Sequence, residues 1–154
     1  MMGALRAGGM LVPAKPFGCR HPPDVVARNP KGYFEGGLKE ELIPDALYKA
    51  FFEVLVKRTE PGKVAVMWRD ETAIANSFRK SFNRRDIAIW AGNKYRLDMV
   101  EKLKQRGGLD IIIINFEDVI ADPLKAFMQL RDFGFPIKDL DAAVAWVDPK
   151  LKHF

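Results

Sequence analysis

Two apolar runs stand out against the alternation of polar and apolar residues elsewhere in the chain. Val64 to Trp68 is apolar throughout and is bounded by the turn Glu60-Pro61-Gly62-Lys63, while Leu109 to Phe116 contains the consecutive isoleucines Ile111 to Ile114. Short runs of this kind, rich in β-branched residues and without polar alternation, predict strands buried on both faces, as in a parallel sheet. Around them the apolar period becomes helical. After Asp70, Ala73, Ile74, Ser77 and Phe78 recur at helical spacing; Asp70 can cap that helix, and Glu71 suits the positive end of its dipole. Asp86 to Arg106 predicts a long helix with Ile87, Trp90, Leu97, Val100 and Leu103 on a drifting seam, Tyr95 beside it, and a stop at Gly107-Gly108. Asp45 to Arg58 predicts an amphipathic helix, Leu47, Phe51, Val54 and Leu55 facing inward and Lys49, Glu53 and Lys57 outward.

The remaining pattern supplies shorter helices. Met1 to Met10 reads as a helix stopped by Gly8-Gly9, and Leu140 to Val147 as one capped by Asp139 and ended by Asp148-Pro149. Asp122 is a good N-cap and Pro123 a good first residue for a helix running to Asp132, with a stop at Gly134 before Pro136. Pro13 to Gly37 carries Pro13, Pro16, Pro22, Pro23 and Pro30, and is expected to be a long surface loop. The order strand, helix, strand implies an α/β fold, residues 1–154 forming one domain with a small parallel sheet covered by helices. Such a sheet leaves an edge to be paired, so a homodimer or limited solubility is expected.

Composition narrows the function classes only a little. The chain has 154 residues, 48% hydrophobic and 29% charged, as a folded globular domain has. A net charge of +5 and a pI near 9.4 favour an anionic partner without choosing among nucleotide, nucleic acid, sulfated glycan and membrane surface. The single cysteine, Cys19, excludes an internal disulfide framework and suits a reducing, cytoplasmic setting. No apolar run approaches the ~20 residues that cross a bilayer, and the opening apolar stretch is too short and too interrupted by Arg6 to be a leader. No His, Cys or carboxylate group has metal-ligand spacing, so no metal is expected. A glycine-rich phosphate cradle of the Gly-x-x-x-x-Gly-Lys-Ser/Thr type is absent.

The candidate chemistry lies where the first strand meets its helix. A strand feeding a helix N-terminus is a standard place for an anion. Arg69 sits at that junction, Ser77 carries a hydroxyl two turns into the helix, and Arg79, Lys80, Arg84 and Arg85 add positive potential. By position alone, Arg69 is equally well explained as a solvated or salt-bridged arginine. The order strand, Arg-Asp, then Ser eight positions after the Arg resembles the 3′-phosphate-binding segment of the sulfotransferases that use 3′-phosphoadenosine 5′-phosphosulfate. That resemblance assigns the 3′-phosphate to Arg69 and Ser77. Asn29-Pro30-Lys31-Gly32-Tyr33-Phe34-Glu35 is similar to a segment of bacterial sulfotransferase-like proteins. Phe116-Glu117-Asp118-Val119 with Asp122-Pro123 resembles the family's Tyr-Glu-Asp-Leu and Asp-Pro, and Val147 to Leu151 resembles the ends of the bacterial proteins. Capping accounts for Asp122 fully; Glu117 and Asp118 can either serve a site or fix their loop.

The resemblance implies an incomplete P-loop-type, sulfotransferase-like fold, truncated before the loop that wraps the phosphosulfate. The middle is shorter than in the family, and the Arg-Lys-Gly segment of its animal cytosolic members is missing. The implied function is binding of 3′-phosphoadenosine 5′-phosphosulfate or its product nucleotide, with sulfate transfer to a hydroxyl or amine of a small molecule or glycan if the missing loop is supplied. Transfer needs a base and fixed positive charge on the leaving phosphate. His21 and Glu35 are the candidates for the base; His153 lies next to the terminus. Nucleotide binding is therefore expected to be weak and turnover low or absent. Two other classes stay open: a non-catalytic nucleotide-binding or interaction module, and a nucleic-acid binder built on the basic cluster. The second needs exposed aromatics between its cations, whereas Phe78 and Phe82 are expected to face the core.

Overall fold

The computed structural model describes residues 1–12, 46, 47, 50, 52–82 and 92–148, with residues 77–82 given by their backbone alone. The elements are α1 (Met2–Ala7), α2 (Phe52–Lys57), β1 (Gly62–Trp68), α3 (Glu71–Phe82), α4 (Asn93–Arg106), β2 (Leu109–Asn115), α5 (Phe116–Ala121), α6 (Pro123–Asp132) and α7 (Leu140–Ala145). β1 and β2 pair in parallel without a break in register, from Gly62 opposite Leu109 to Trp68 opposite Asn115. Among the described residues this is a small two-stranded parallel sheet with helices, so the α/β class and the parallel pairing expected from the apolar runs are present.

Partners in a parallel register share a face, and side chains alternate along each strand. Ala65, Met67, Ile112 and Ile114 therefore lie on one face, where they join a core with Leu5, Val119, Phe127, Leu130 and Phe135. Trp68 belongs to the other face, and the Arg96 side chain of α4 lies over its ring. α4 turns Arg96, Met99, Val100 and Leu103 inward, a set at i, i+3, i+4 and i+7. Gly107 and Gly108, with φ of 74° and 70°, make the reversal from α4 into β2, and the Gly108 carbonyl accepts from the Gly62 N–H at 3.0 Å. Arg106 reaches back across this end of the molecule. Its guanidinium donates to the carbonyls of Leu55, Arg58 and Glu60, supplying acceptors at the α2 C-terminus with donors they lack within the helix.

The capping expectations hold. Asp122 Oδ1 accepts from Lys125 N at 3.0 Å with Pro123 opening α6, and Asp139 Oδ1 accepts from Ala142 N at 2.8 Å at the start of α7. Other boundaries differ. The helix expected from Asp45 begins, among the described residues, at Phe52; Ala46 instead forms an isolated parallel bridge with Leu11, and Leu47 N donates to Leu11 O. Phe116 opens α5 rather than ending β2, so Glu117 and Asp118 occupy a helical first turn. The strands are less enclosed than a run of isoleucines suggests, Ile113 remaining 43% exposed. Leu97, expected on the buried seam of the long helix, is 52% exposed, and the inward position belongs to Arg96. The long helix expected from Asp86 begins, among the described residues, at Asn93, with Gly92 extended before it; the loop expected over 13–37 and the helix expected over 86–91 lie outside the described residues.

α1 packs through Gly3, where there is no space for a methyl group against the Trp146 indole. Gly3→Ala is expected to cost about 1–3 kcal/mol through overpacking, whereas Gly62→Ala, which meets no atom within 4 Å, should stay within about 0.5 kcal/mol of the parent. Chemical denaturation of the two variants checks this.

A second prediction concerns the α2–α4 contact, where Tyr95 donates its hydroxyl proton to Glu53. Burial, the hydrogen bond to Glu53 and the charges of Glu53 and Asp98 push the Tyr95 phenol from 10.0 up to about 12. The hydrogen bond from Tyr95 leads the causes that lower the Glu53 carboxyl. A raised phenol stabilises the fold fully below its unfolded value and loses that contribution as pH climbs through the folded one, so this contact should weaken between pH 10 and about 12. Absorbance titration of phenolate should show a late component near pH 12 that Tyr95→Phe removes.

Candidate functional site

The parallel register brings the carboxyl ends of both strands to the same edge, and each runs into a helix. β1 passes through Arg69-Asp70 into α3, and β2 passes directly into α5. Asp70 caps α3 as the sequence predicted, its Oδ1 accepting from Ala73 N at 2.9 Å, and Glu71 stands in the first turn. Arg69 is half-buried and its guanidinium carbon lies 4.6 Å from the centroid of the Phe116 ring. This contact continues the strand register by one step, since the preceding pair is Trp68 with Asn115.

A second guanidinium lies at the same end of the sheet. Arg96 is only 6% exposed, and its guanidinium carbon sits 4.3 Å from the centroid of a Trp68 ring. It projects back toward the start of its own helix, as helical side chains do, and Nη2 donates to Asn93 Oδ1 at 2.6 Å. Asn93 in turn donates its backbone N–H to Glu71 Oε2 at 2.9 Å. The network thus ties the first turn of α3 to the first turn of α4 and lays the charge on the last residue of β1. Burial pushes the Arg96 guanidinium below its usual value, and the charges of Glu71, Asp70 and Glu117 oppose the shift. Asn115 Nδ2 donates to Asp118 Oδ2 at 3.1 Å and closes the turn from β2 into α5.

Of the residues singled out in the sequence, the structure places Arg69 at the strand end as expected and brings Phe116 against it. Ser77 lies on the α3 backbone two turns beyond Asp70, its side chain outside what is described. His21, Glu35 and His153 fall outside the described residues, as do Arg84 and Arg85. Arg96, Asn93 and Trp68 were not among the sequence candidates. The signal for Arg96 was available in its spacing, because it stands at i−4 from Val100 and i−7 from Leu103 on the face that is buried.

This end of the sheet carries two guanidinium groups and, beside them, the carboxylates of Asp70, Glu71, Glu117 and Asp118. Each cation lies over an aromatic ring, and the two helix starts they border already have a carboxylate on a backbone N–H, Asp70 on Ala73 N and Glu71 on Asn93 N. Among the described residues no group of three His, Cys, Asp or Glu side chains could hold a metal ion, and no helix is long and apolar enough to cross a membrane. Comparison of the chain with protein-family models, with curated proteins and with solved structures gave no match.

Capping by Asp70 fixes where α3 begins and therefore how Arg69 is presented. Asp70→Ala should cost about 1 kcal/mol of stability, with Asp70→Asn close to the parent because the amide oxygen can still accept from Ala73 N. Denaturation midpoints, together with faster amide exchange confined to the α3 start in Asp70→Ala, are the measurements.

Proposed function

We propose that the protein binds a nucleotide bearing a 3′-phosphate, 3′-phosphoadenosine 5′-phosphosulfate or its product, as a sulfotransferase-like protein. The observation that carries the reading is Arg69, half-buried at the carboxyl end of a parallel strand and one residue ahead of the cap of a helix. Open α/β sheets place ligands beyond the carboxyl ends of their strands, where helix N-termini point at anionic groups. In this reading Arg69 grips the 3′-phosphate with its guanidinium, its orientation held by the Phe116 ring, and Ser77 adds a hydroxyl from α3. The fold is then part of a P-loop-type sheet. Transfer of sulfate to a hydroxyl or amine acceptor is the activity the same resemblance implies; His21 and Glu35 remain the candidates for its base. Asp118 is engaged by Asn115 and shapes the β2–α5 turn, which leaves it a structural part in the scheme.

The test is thermal unfolding with adenosine 3′,5′-bisphosphate beside adenosine 5′-monophosphate. Ligand at ~100 times its dissociation constant stabilises a fold by about 2.7 kcal/mol. The bisphosphate should raise the midpoint and the monophosphate should not, because hydrogen bonds to a charged group contribute roughly 1.5–3 kcal/mol. Arg69→Ala should abolish the difference. Equal shifts with the two nucleotides, or the same preference in Arg69→Ala, would sink the reading.

A further inference from the structure

The outer side of β2 stands apart from the nucleotide reading. Among the described residues no further strand lies beyond it. Val66 and Ile113 are opposite each other in the parallel register and share a face, yet Val66 is 6% exposed and Ile113 43%. The cover on that face therefore reaches β1 and leaves β2 open.

The phase of the ladder shows which main-chain groups the open side carries. In a parallel pair a residue bonds to the two residues that flank its partner, and Gly62, opposite Leu109, donates its N–H to Gly108 O at 3.0 Å. Asp110, Ile112 and Ile114 continue that series toward β1. The N–H and C=O groups of Ile111 and Ile113 consequently face outward, on the residues whose side chains share the open face. Edge strands are usually blunted by charge, proline or a bulge. β1 carries Lys63 at its start, whereas the one charge in β2 is Asp110, which Lys63 engages at 3.3 Å, and Ile111 to Ile114 follow without a break in register. A run this β-prone and uncharged is suited to pairing with another strand.

We infer that β2 pairs antiparallel with β2 of a second copy of the chain, about a two-fold axis that passes between the two Ile112 residues and stands normal to the sheet. In that register Ile111 lies opposite Ile113 of the second copy, and the two exchange both main-chain bonds, as residues that turn N–H and C=O to the same side do in an antiparallel pair. The axis keeps the faces in common, so the exposed Ile113 packs beside an isoleucine. Asp110 falls opposite Ile114 of the second copy, and no charge meets a like charge. Self-complementarity of this kind closes the assembly as a dimer, in which two strands from each copy make one sheet of four.

The experiment joins sedimentation equilibrium to amide hydrogen exchange on the full chain. The parent should be dimeric, and raising its concentration should slow exchange chiefly at Ile111 and Ile113, since Ile112 and Ile114 are already bonded to β1. Ile113→Lys should weaken the dimer at least about tenfold, whereas Leu124→Lys, at a similarly exposed apolar position on α6, should leave it intact. The exchange arm uses the parent alone and decides the matter even where Ile113→Lys does not fold. A monomer at every concentration overturns the inference, as does a dimer that Leu124→Lys breaks and Ile113→Lys does not, or one in which Ile111 and Ile113 exchange as fast as on dilution. Slow exchange at these two residues that ignores concentration overturns it too, because the chain then covers its own edge.

Discussion

Parallel pairing of β1 with β2 is the constraint from which the rest of this end of the molecule follows. Two parallel strands cannot be joined by a tight turn; the chain must leave the carboxyl end of the first and return to the amino end of the second, which here takes α3 and α4. Both strands consequently finish at one edge, and the residues that follow them are brought together although they are far apart in sequence. Arg69 meets Phe116 for this reason alone. A slip of one residue would move Met67 and Ile114 off the core face and separate that pair at once.

Holding cations at such an edge has a cost that decides how they are used. Stacking on a ring returns about 0.5–2 kcal/mol, while each buried donor left without an acceptor costs about 1–3 kcal/mol. For Arg96, with Nε and Nη1 unmatched, the second term outweighs the first. Glu71, Asp70 and Glu117 lower the cost of the charge but do not supply the missing acceptors. A leucine or methionine in the same inward position would extend the apolar stripe of Met99, Val100 and Leu103 and pack at less expense. Arg96 is therefore poor as a packing residue.

How much of this was legible in the sequence depended on whether local chemistry or tertiary contact set the outcome. Asp122-Pro123 and Asp139 declare their helices because a cap needs only the next few residues, and Ile111 to Ile114 can hardly be anything but a strand. Ala46 was misread because its bridge partner, Leu11, is remote in sequence and no local signal announces it. Phe116 looked like strand continuation since its aromatic ring is as β-prone as the isoleucines; its capture by Arg69 is a long-range event. Arg69 was found because it sits at a recognisable junction. Arg96 was missed because a charged residue reads as a wet one, and Leu97 beside it took the inward place in the periodic pattern.

The contrast between Arg96 and Leu97 also explains why the site can be rigid. Adjacent positions on a helix differ by about 100°, so one of them had to face the sheet, and the phase of α4 is set by Val100 and Leu103, buried to 2% and 0% exposed. Those two residues lock the rotation of the helix, and the rotation aims the Arg96 guanidinium at the strand end. Leu97 accepts exposure as the consequence. At the helix start Asn93 then fixes the remaining freedom from both sides, accepting from Arg96 with its side chain and donating to Glu71 with its backbone. The guanidinium is thus placed by apolar packing two turns away and by a polar clamp beside it. A group held in that way keeps little rotamer freedom, so its position follows from the packing of α4 and not from the charge it carries.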